Sequence, residues 1–303
     1  MLHWSTKMKK TIIMKVLGAI IIITLIAILL NILSYLPKEV DYNAYAPFSL
    51  FSYNIKADRF TKIDSNIPKI NAAVATYPFA SSLVESTISK ESYNNELQHV
   101  STTQAYQDII NNVVDISIAS ETNQENRDAV ELDSDIVLVP IAKEELVIYV
   151  NKDNPISFIS IEELNNIYSG KISNWKGLGG KDEKIYPYQL KPNVGGSEEC
   201  FARAVPKNTT YNNSELVAYD MKNIIDLTAG SKGGIGYAFN LFYSKLYNQK
   251  MLKKIATDTP LLYNVYFIYR KSNANPNIEK ILTWLLSDDG QNFVTKCGYA
   301  PIK

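Results

Sequence analysis

The chain has 303 residues, 46% of them apolar, and its Lys plus Arg count equals its Asp plus Glu count at 31 each. That composition excludes a disordered chain, leaves room for one large core or two medium ones, and removes any global field that would gather nucleic acid. The two cysteines, Cys200 and Cys297, and the two histidines, His3 and His99, lie far apart in sequence. They form no Cys/His metal cluster, and one long-range disulfide and two buried thiols both remain open.

Residues 16–33 are almost unbroken Ile, Leu, Ala and Val, interrupted only by Gly18, Thr24 and Asn31. This is close to the roughly 20 residues needed to span hydrocarbon. Lys7, Lys9, Lys10 and Lys15 precede the run, so the positive-inside tendency keeps the N-terminus cytoplasmic and sends the rest of the chain outward. The run is followed by N-I-L-S-Y-L-P, without the small-x-small residues of a cleavage site, which predicts an uncleaved single-pass anchor over residues 1–36.

Residues 37–66 are polar and aromatic without periodicity and predict a stalk. From residue 70 onward, helical and strand patterns alternate. Residues 78–88 and 104–113 have helical spacing, while 115–119, 136–141 and 146–150 are short β-branched runs suited to buried strands. Residues 160–168 predict a helix with a Ser160/Glu163 capping box, ended by Gly170. Strands are expected at 185–188, 234–239 and 262–269, and helices at 278–286 and 291–296. The alternation argues for an α/β sandwich with a mostly parallel sheet. The chain's 20 tyrosines are spread along it and read as packing residues, not as a stacking platform for bases.

Residues 191–201 read K-P-N-V-G-G-S-E-E-C-F. A Gly-rich turn running into a helix leaves the first backbone N–H groups unpartnered at the positive end of the macrodipole, a natural anion site. The same residues also suit an ordinary helix opening with Ser197 as N-cap.

Residues 160–180 read S-I-E-E-L-N-N-I-Y-S-G-K-I-S-N-W-K-G-L-G-G, followed by I-Y-P-Y-Q and then G-G-S at a helix opening. To these add A-T-Y-P at 75–78, D-I-S-I-A-S at 115–120, G-G-I-G-Y-A-F at 233–239, N-P-N-I-E-K-I-L-T-W-L-L-S-D-D-G-Q from 275, and C-G-Y-A-P at 297–301. In this order and spacing the chain, over residues 69–303, resembles the phosphate-binding proteins of bacterial phosphate ABC transporters. The resemblance implies an α/β fold of the two-lobed periplasmic-binding-protein type II class, here with an N-terminal transmembrane helix. Lobe 1 would combine residues 67–148 with 263–303, and lobe 2 would span 149–262, with crossings near 147–152 and 260–265. It further implies a cell-membrane protein with an extracellular binding domain that closes on inorganic phosphate and delivers it, as a monomer, to permease and ATPase subunits. No cofactor, nucleic acid or enzymatic activity is implied.

Carried over by position, the implied phosphate contacts are Thr76 and Tyr77, Thr103, Glu121, Lys191, and the loop Gly195, Gly196 and Ser197. A tetrahedral oxyanion is satisfied by N–H and hydroxyl donors, and a carboxylate such as Glu121 accepts the proton of hydrogen phosphate, which sulfate lacks. Lys191 stands where the family has arginine, Glu121 where it has aspartate, and Gly195 where it has serine. Glu198 and Glu199 add carboxylates to the turn that receives the anion. These departures keep a second class open: a receptor or sensor of the same fold for another oxyanion or an organic phosphate. An enzyme is disfavoured because the only histidine past the leader, His99, has no evident Ser and Asp partners.

Overall fold

The structure, a computed structural model, describes residues 2–33, 40–193, 195–206, 213–247 and 250–302. Residues 34–39, where the expected anchor passes into the expected stalk, and Val194 of the Gly-rich stretch lie outside the described residues. Two compact units are present, residues 1–38 and 39–303. The first is helix α1 (Leu2–Leu33). Its stretch Thr11–Leu29 has a mean hydropathy of 2.9, is not buried, and is long and apolar enough to cross a membrane.

The second unit runs in chain order β1 (Ile70–Ala73), α2 (Tyr77–Thr87), β2 (Leu97–Val100), α3 (Thr102–Ile110), β3 (Ile116–Ala119), α4 (Gln124–Leu132), β4 (Ile136–Asn151), β5 (Phe158–Ile159) and α5 (Ile161–Tyr168). It continues with β6 (Tyr186–Pro187), β7 (Gln189–Leu190), α6 (Gly196–Ala204), β8 (Val217–Ala218), α7 (Met221–Gly230), β9 (Gly234–Phe239), β10 (Leu252–Thr257), β11 (Leu262–Arg270), α8 (Pro276–Leu285) and α9 (Asp288–Lys296). Most of these helices start where a short polar side chain accepts a first-turn N–H: Ser101 for α3, Asn123 for α4, Asp220 for α7, Asn275 for α8 and Ser287 for α9. The Ser160/Glu163 capping box opens α5 as its sequence predicts.

Strand β4, 16 residues long, organises the two-lobed fold. Its first part, through Glu145, runs antiparallel to β11, which also flanks β3; β3 and β2 in turn lie parallel to β1. From Leu146 onward it pairs antiparallel with β9 and β10, which carry β6 and β5 in parallel. The sequence pattern splits β4 into two strands and expects a mostly parallel sheet. Instead one strand runs through both, and after the polar Lys143-Glu144-Glu145 stretch its pairing passes from β11 to β9 and β10. A chain that crosses and returns must set antiparallel strands beside its βαβ units, so the sheet is mixed.

The expected stalk is corrected by the structure. Residues 40–66 carry Tyr45 and Ile63, both buried, and fold back onto α2. Isolated polar residues gave the segment no period, yet its backbone N–H groups find side-chain acceptors on that helix. Both cysteines are free thiols, Cys200 buried and Cys297 half-buried. In the second lobe, the ring of Phe201 on α6 stacks on Tyr237 of β9, with centroids 3.8 Å apart and planes 7° apart, which seats the helix on the sheet. Two fully buried tyrosines are packing residues with satisfied hydroxyls. Tyr149 donates to the Tyr237 carbonyl at 2.8 Å, and Tyr168 donates to the Tyr188 carbonyl at 2.9 Å.

Candidate functional site

A cavity of about 480 Å³ opens between the first-turn ends of helices from both halves of the sheet. Val74 and Ala75 lie just before α2, Ser101 and Thr102 open α3, Gly195 to Ser197 open α6, and Asp220 to Lys222 open α7. Four helix N-termini thus meet one space, each bringing partly unpaired N–H groups and the positive end of its dipole. At α2 and α6 no side chain caps the helix. The remainder of the wall is mainly apolar: Val40, Tyr42, Leu190, Tyr219, Phe239 and Phe242.

The first turn of α6 sits hard against the opposite lobe. A Cβ placed on Gly196 would lie 2.3 Å from Ser120 Oγ and 2.5 Å from the Glu121 carbonyl oxygen. Only glycine permits that approach. Ser120 is itself 1% exposed, and its hydroxyl is buried at this seam without a hydrogen-bond partner. Next to it, two ion pairs tie the lobes, Arg203 on α6 to Glu121 at 3.1 Å and Arg127 on α4 to Glu199 at 2.7 Å, while Arg203 also pairs with Glu199 within α6 at 3.3 Å. The Tyr266 hydroxyl donates to Glu121 at 3.0 Å, and the Tyr263 hydroxyl donates to the Cys200 carbonyl at 2.6 Å.

Of the eight sequence-predicted contacts, Gly195, Gly196 and Ser197 line the cavity. Thr76 is buried behind the wall, its hydroxyl donating to the Ala73 and Ile118 carbonyls at 3.0 and 2.7 Å. Tyr77 is also behind it, edge-on to Tyr42 with centroids 5.9 Å apart. At the mouth of α3 the wall residue is Thr102, one position before the predicted Thr103, because Ser101 caps the helix and turns Thr102 inward. Glu121 stands off the wall, held by Arg203 and Tyr266. Lys191 is exposed and also off the wall, its backbone N–H pairing with the Ala218 carbonyl at 2.8 Å. The paired glutamates of the turn point elsewhere: Glu198 accepts the Asn193 N–H at 3.1 Å, and Glu199 belongs to the ion-pair seam.

Sequence reading missed the α7 opening. The signal was present as Asp220, a good N-cap, three residues before Asn223, whose N–H it accepts at 2.7 Å. Asp220 and Lys222 are the charged side chains on the cavity wall, and the Lys222 ammonium lies 3.1 Å from Asp226. Tyr42 was missed with the rest of its segment. Burial, and next the Asp220 charge, push its phenol up to about 12, which keeps it a hydrogen-bond donor. His99 packs under Tyr42, and burial lowers its pKa. Among the described residues, no group of three or more His, Cys, Asp and Glu is placed to hold a metal ion.

The chain has relatives of known kind. The phosphate-binding protein PstS of Bacillus subtilis (strain 168) is 31% identical over 166 residues, 50% of this chain and 53% of that protein, so the chain aligns with about half the length of this curated relative. Two solved structures share the fold. One, described as a phosphate ABC transporter substrate-binding protein with bound phosphate from Clostridium perfringens, is 20% identical with a TM-score of 0.61, over 77% of this chain and 98% of that one. The other, an ABC-type phosphate transport receptor from Vibrio cholerae, is 18% identical with a TM-score of 0.51, over 76% and 99%. The profile of the PBP superfamily domain matches residues 65–289, which leaves α1 and the segment that carries Tyr42 ahead of it. With that match over most of its length, and with the two-lobed α/β fold seen here, the chain belongs to the PBP superfamily.

Proposed function

We propose that this protein is a membrane-anchored, extracellular solute-binding protein that captures inorganic phosphate in the cleft and passes it to the permease and ATPase subunits of an ABC importer. It acts as a monomer and as a binding protein, not an enzyme. Lobe 1 comprises residues 67–148 and 263–303 and lobe 2 residues 149–262, and the ligand is held as they close. The convergence of four helix openings on one cavity carries this reading, and the phosphate-binding relatives support it. Donors suffice there for a tetrahedral oxyanion without a dense counter-charge. Gly195, Gly196 and Ser197 contribute backbone N–H groups and a hydroxyl, and Thr102 contributes a second hydroxyl. Thr76, Tyr77, Thr103 and Glu121 support the wall from behind or beside it.

The cation of the site is Lys222, which lines the cavity. Calorimetric titration of the full-length protein in detergent with inorganic phosphate is expected to show Lys222→Ala weakening binding at least ~10-fold, about 1.4 kcal/mol, with a smaller loss in Lys191→Ala. The reverse order would return that role to Lys191, and no phosphate binding by the wild type would end the reading altogether.

The carboxylate on the wall is Asp220, and we assign it the acceptor that recognises the proton of hydrogen phosphate and disfavours sulfate. Asp220→Asn keeps an N-cap for α7 while removing the charge. In competition titrations this variant is expected to narrow the preference for phosphate over sulfate by at least ~10-fold. An unchanged preference would remove Asp220 from that role.

A further inference from the structure

Residues 40–64, ahead of the family domain, pack along α2 and reach the cavity. Glu85 on α2, 3% exposed, accepts the Phe48 N–H at 2.7 Å, the Ser52 hydroxyl at 3.0 Å and the Asn54 amide at 2.8 Å with a single carboxylate oxygen. Farther along, Ser82 accepts the Ile55 N–H at 3.0 Å and Ser86 accepts the Ala57 N–H at 2.9 Å. These side chains face what would otherwise be solvent on α2, and the segment satisfies them one after another. Its leading end carries Val40 and Tyr42 onto the cavity wall. The Tyr42 ring stacks on His99 with centroids 4.2 Å apart and planes 14° apart, and Tyr77 meets it edge-on, so its position is set from two sides.

The space so enclosed is larger than a bare oxyanion needs. A five-atom phosphate ion fills on the order of two to three water volumes of ~30 Å³ each, whereas the cavity measures about 480 Å³, within the range of sites that hold small organic ligands. Its polar donors lie at the helix openings. The rest, with Tyr42, Leu190, Phe239 and Phe242, offers apolar and aromatic surface for which phosphate alone has no use.

We infer that Tyr42, supplied by the segment ahead of the family domain, is a specificity-determining residue through which the cleft also takes phosphate monoesters that carry a compact apolar or aromatic group. The phosphoryl group takes the helix openings, where a monoester offers the same terminal oxygens as the free ion. The organic group lies against the Tyr42 ring and the phenylalanines. This rests on the reading of the cleft as an oxyanion site.

The test is calorimetric titration of the full-length protein in detergent with inorganic phosphate and with phenyl phosphate. The wild type is expected to bind phenyl phosphate within ~10-fold of phosphate or more tightly. Tyr42→Ala is expected to lower the ester-to-phosphate affinity ratio at least ~10-fold, and Tyr42→Phe, which keeps the ring, to hold that ratio within ~3-fold of wild type. Phosphate binding with phenyl phosphate at least ~100-fold weaker would overturn the inference and leave the oxyanion reading standing. Equal losses of both ligands in Tyr42→Ala, with folding intact by circular dichroism, would make Tyr42 a structural residue and also overturn it. Failure of the wild type to bind either ligand would overturn both readings.

Discussion

Replacing Gly196 with alanine is expected to weaken phosphate binding by at least ~10-fold in calorimetry. The added Cβ would stand 2.3 Å from Ser120 Oγ and 2.5 Å from the Glu121 carbonyl oxygen, against a comfortable approach of roughly 3.5 Å. Ser120 has freedom to rotate, but the carbonyl belongs to the loop after β3 and does not. The first turn of α6 must then retreat by about an ångström, and close-packed interiors do not absorb such a shift locally. It takes with it the Gly195 to Ser197 amides on the cavity wall, proposed above as phosphate donors, and pulls Arg203 from Glu121. Most of that seam is an interlobe contact, so the loss should appear chiefly in ligand affinity and less in thermal stability. An affinity within ~2-fold of wild type would show that α6 is free to move and that the tight approach at Gly196 does not govern closure.

The second large effect concerns pH and stability. Glu144 lies on β4 beside the point where its pairing passes from β11 to β9, is 2% exposed, and accepts the Leu241 N–H at 3.2 Å while its second oxygen finds no partner. Burial pushes its pKa from 4.5 up to about 8, only partly offset by that hydrogen bond. The acids whose titration its charge affects, Tyr299 and Cys200, are neutral and buried too. A carboxyl whose folded pKa is raised binds more protons in the folded state than in the unfolded one, so its neutral form stabilises the fold at low pH. That contribution declines as pH rises from the unfolded value near 4.5 to the folded value near 8, and levels off above. The full span corresponds to on the order of 5 kcal/mol. Glu144→Gln cannot ionise, so thermal unfolding between about pH 5 and pH 9 should show its melting temperature rising relative to wild type with pH, by several degrees at the alkaline end. Parallel melting curves for the two proteins across that range would mean that water or a rearranged hinge solvates the charge.

Both expectations depend on contacts that no local pattern encodes, and this marks how far the sequence could be read. The capping box at Ser160 and Glu163, the apolar run of α1 and the β-branched runs of β3 and β4 are local signals, each decided by residues within a few positions. They suffice for an α/β chain with an apolar leader. Order and spacing of motifs such as A-T-Y-P and Y-S-G-K-I-S-N-W carry the family. The α7 helix had an N-cap at Asp220 but only a short apolar period, so it went unread, and with it the two charged residues of the cavity wall.

Of the residues the sequence suggests for an anion site, Gly195 and Gly196 lie on the cavity wall, where the backbone itself lines the space. Site residues were not legible where a side chain could turn either way. Thr76 sends its hydroxyl to the Ala73 and Ile118 carbonyls, Glu121 finds Arg203 and Tyr266, and Lys191 stays in solvent; Ile118, Arg203 and Tyr266 are brought near only by the tertiary fold. Composition and local pattern thus determined the apolar leader, the alternating α/β layers and a Gly-rich helix opening suited to an anion. Tertiary structure alone decided which helix openings share the cavity, which carboxylates are already paired, and that the segment expected to be a stalk is a wall of the cleft. The physical reason is that burial and pairing are set by residues distant in sequence: Tyr42 is positioned by His99 and Tyr77, and Gly196 by the loop after β3.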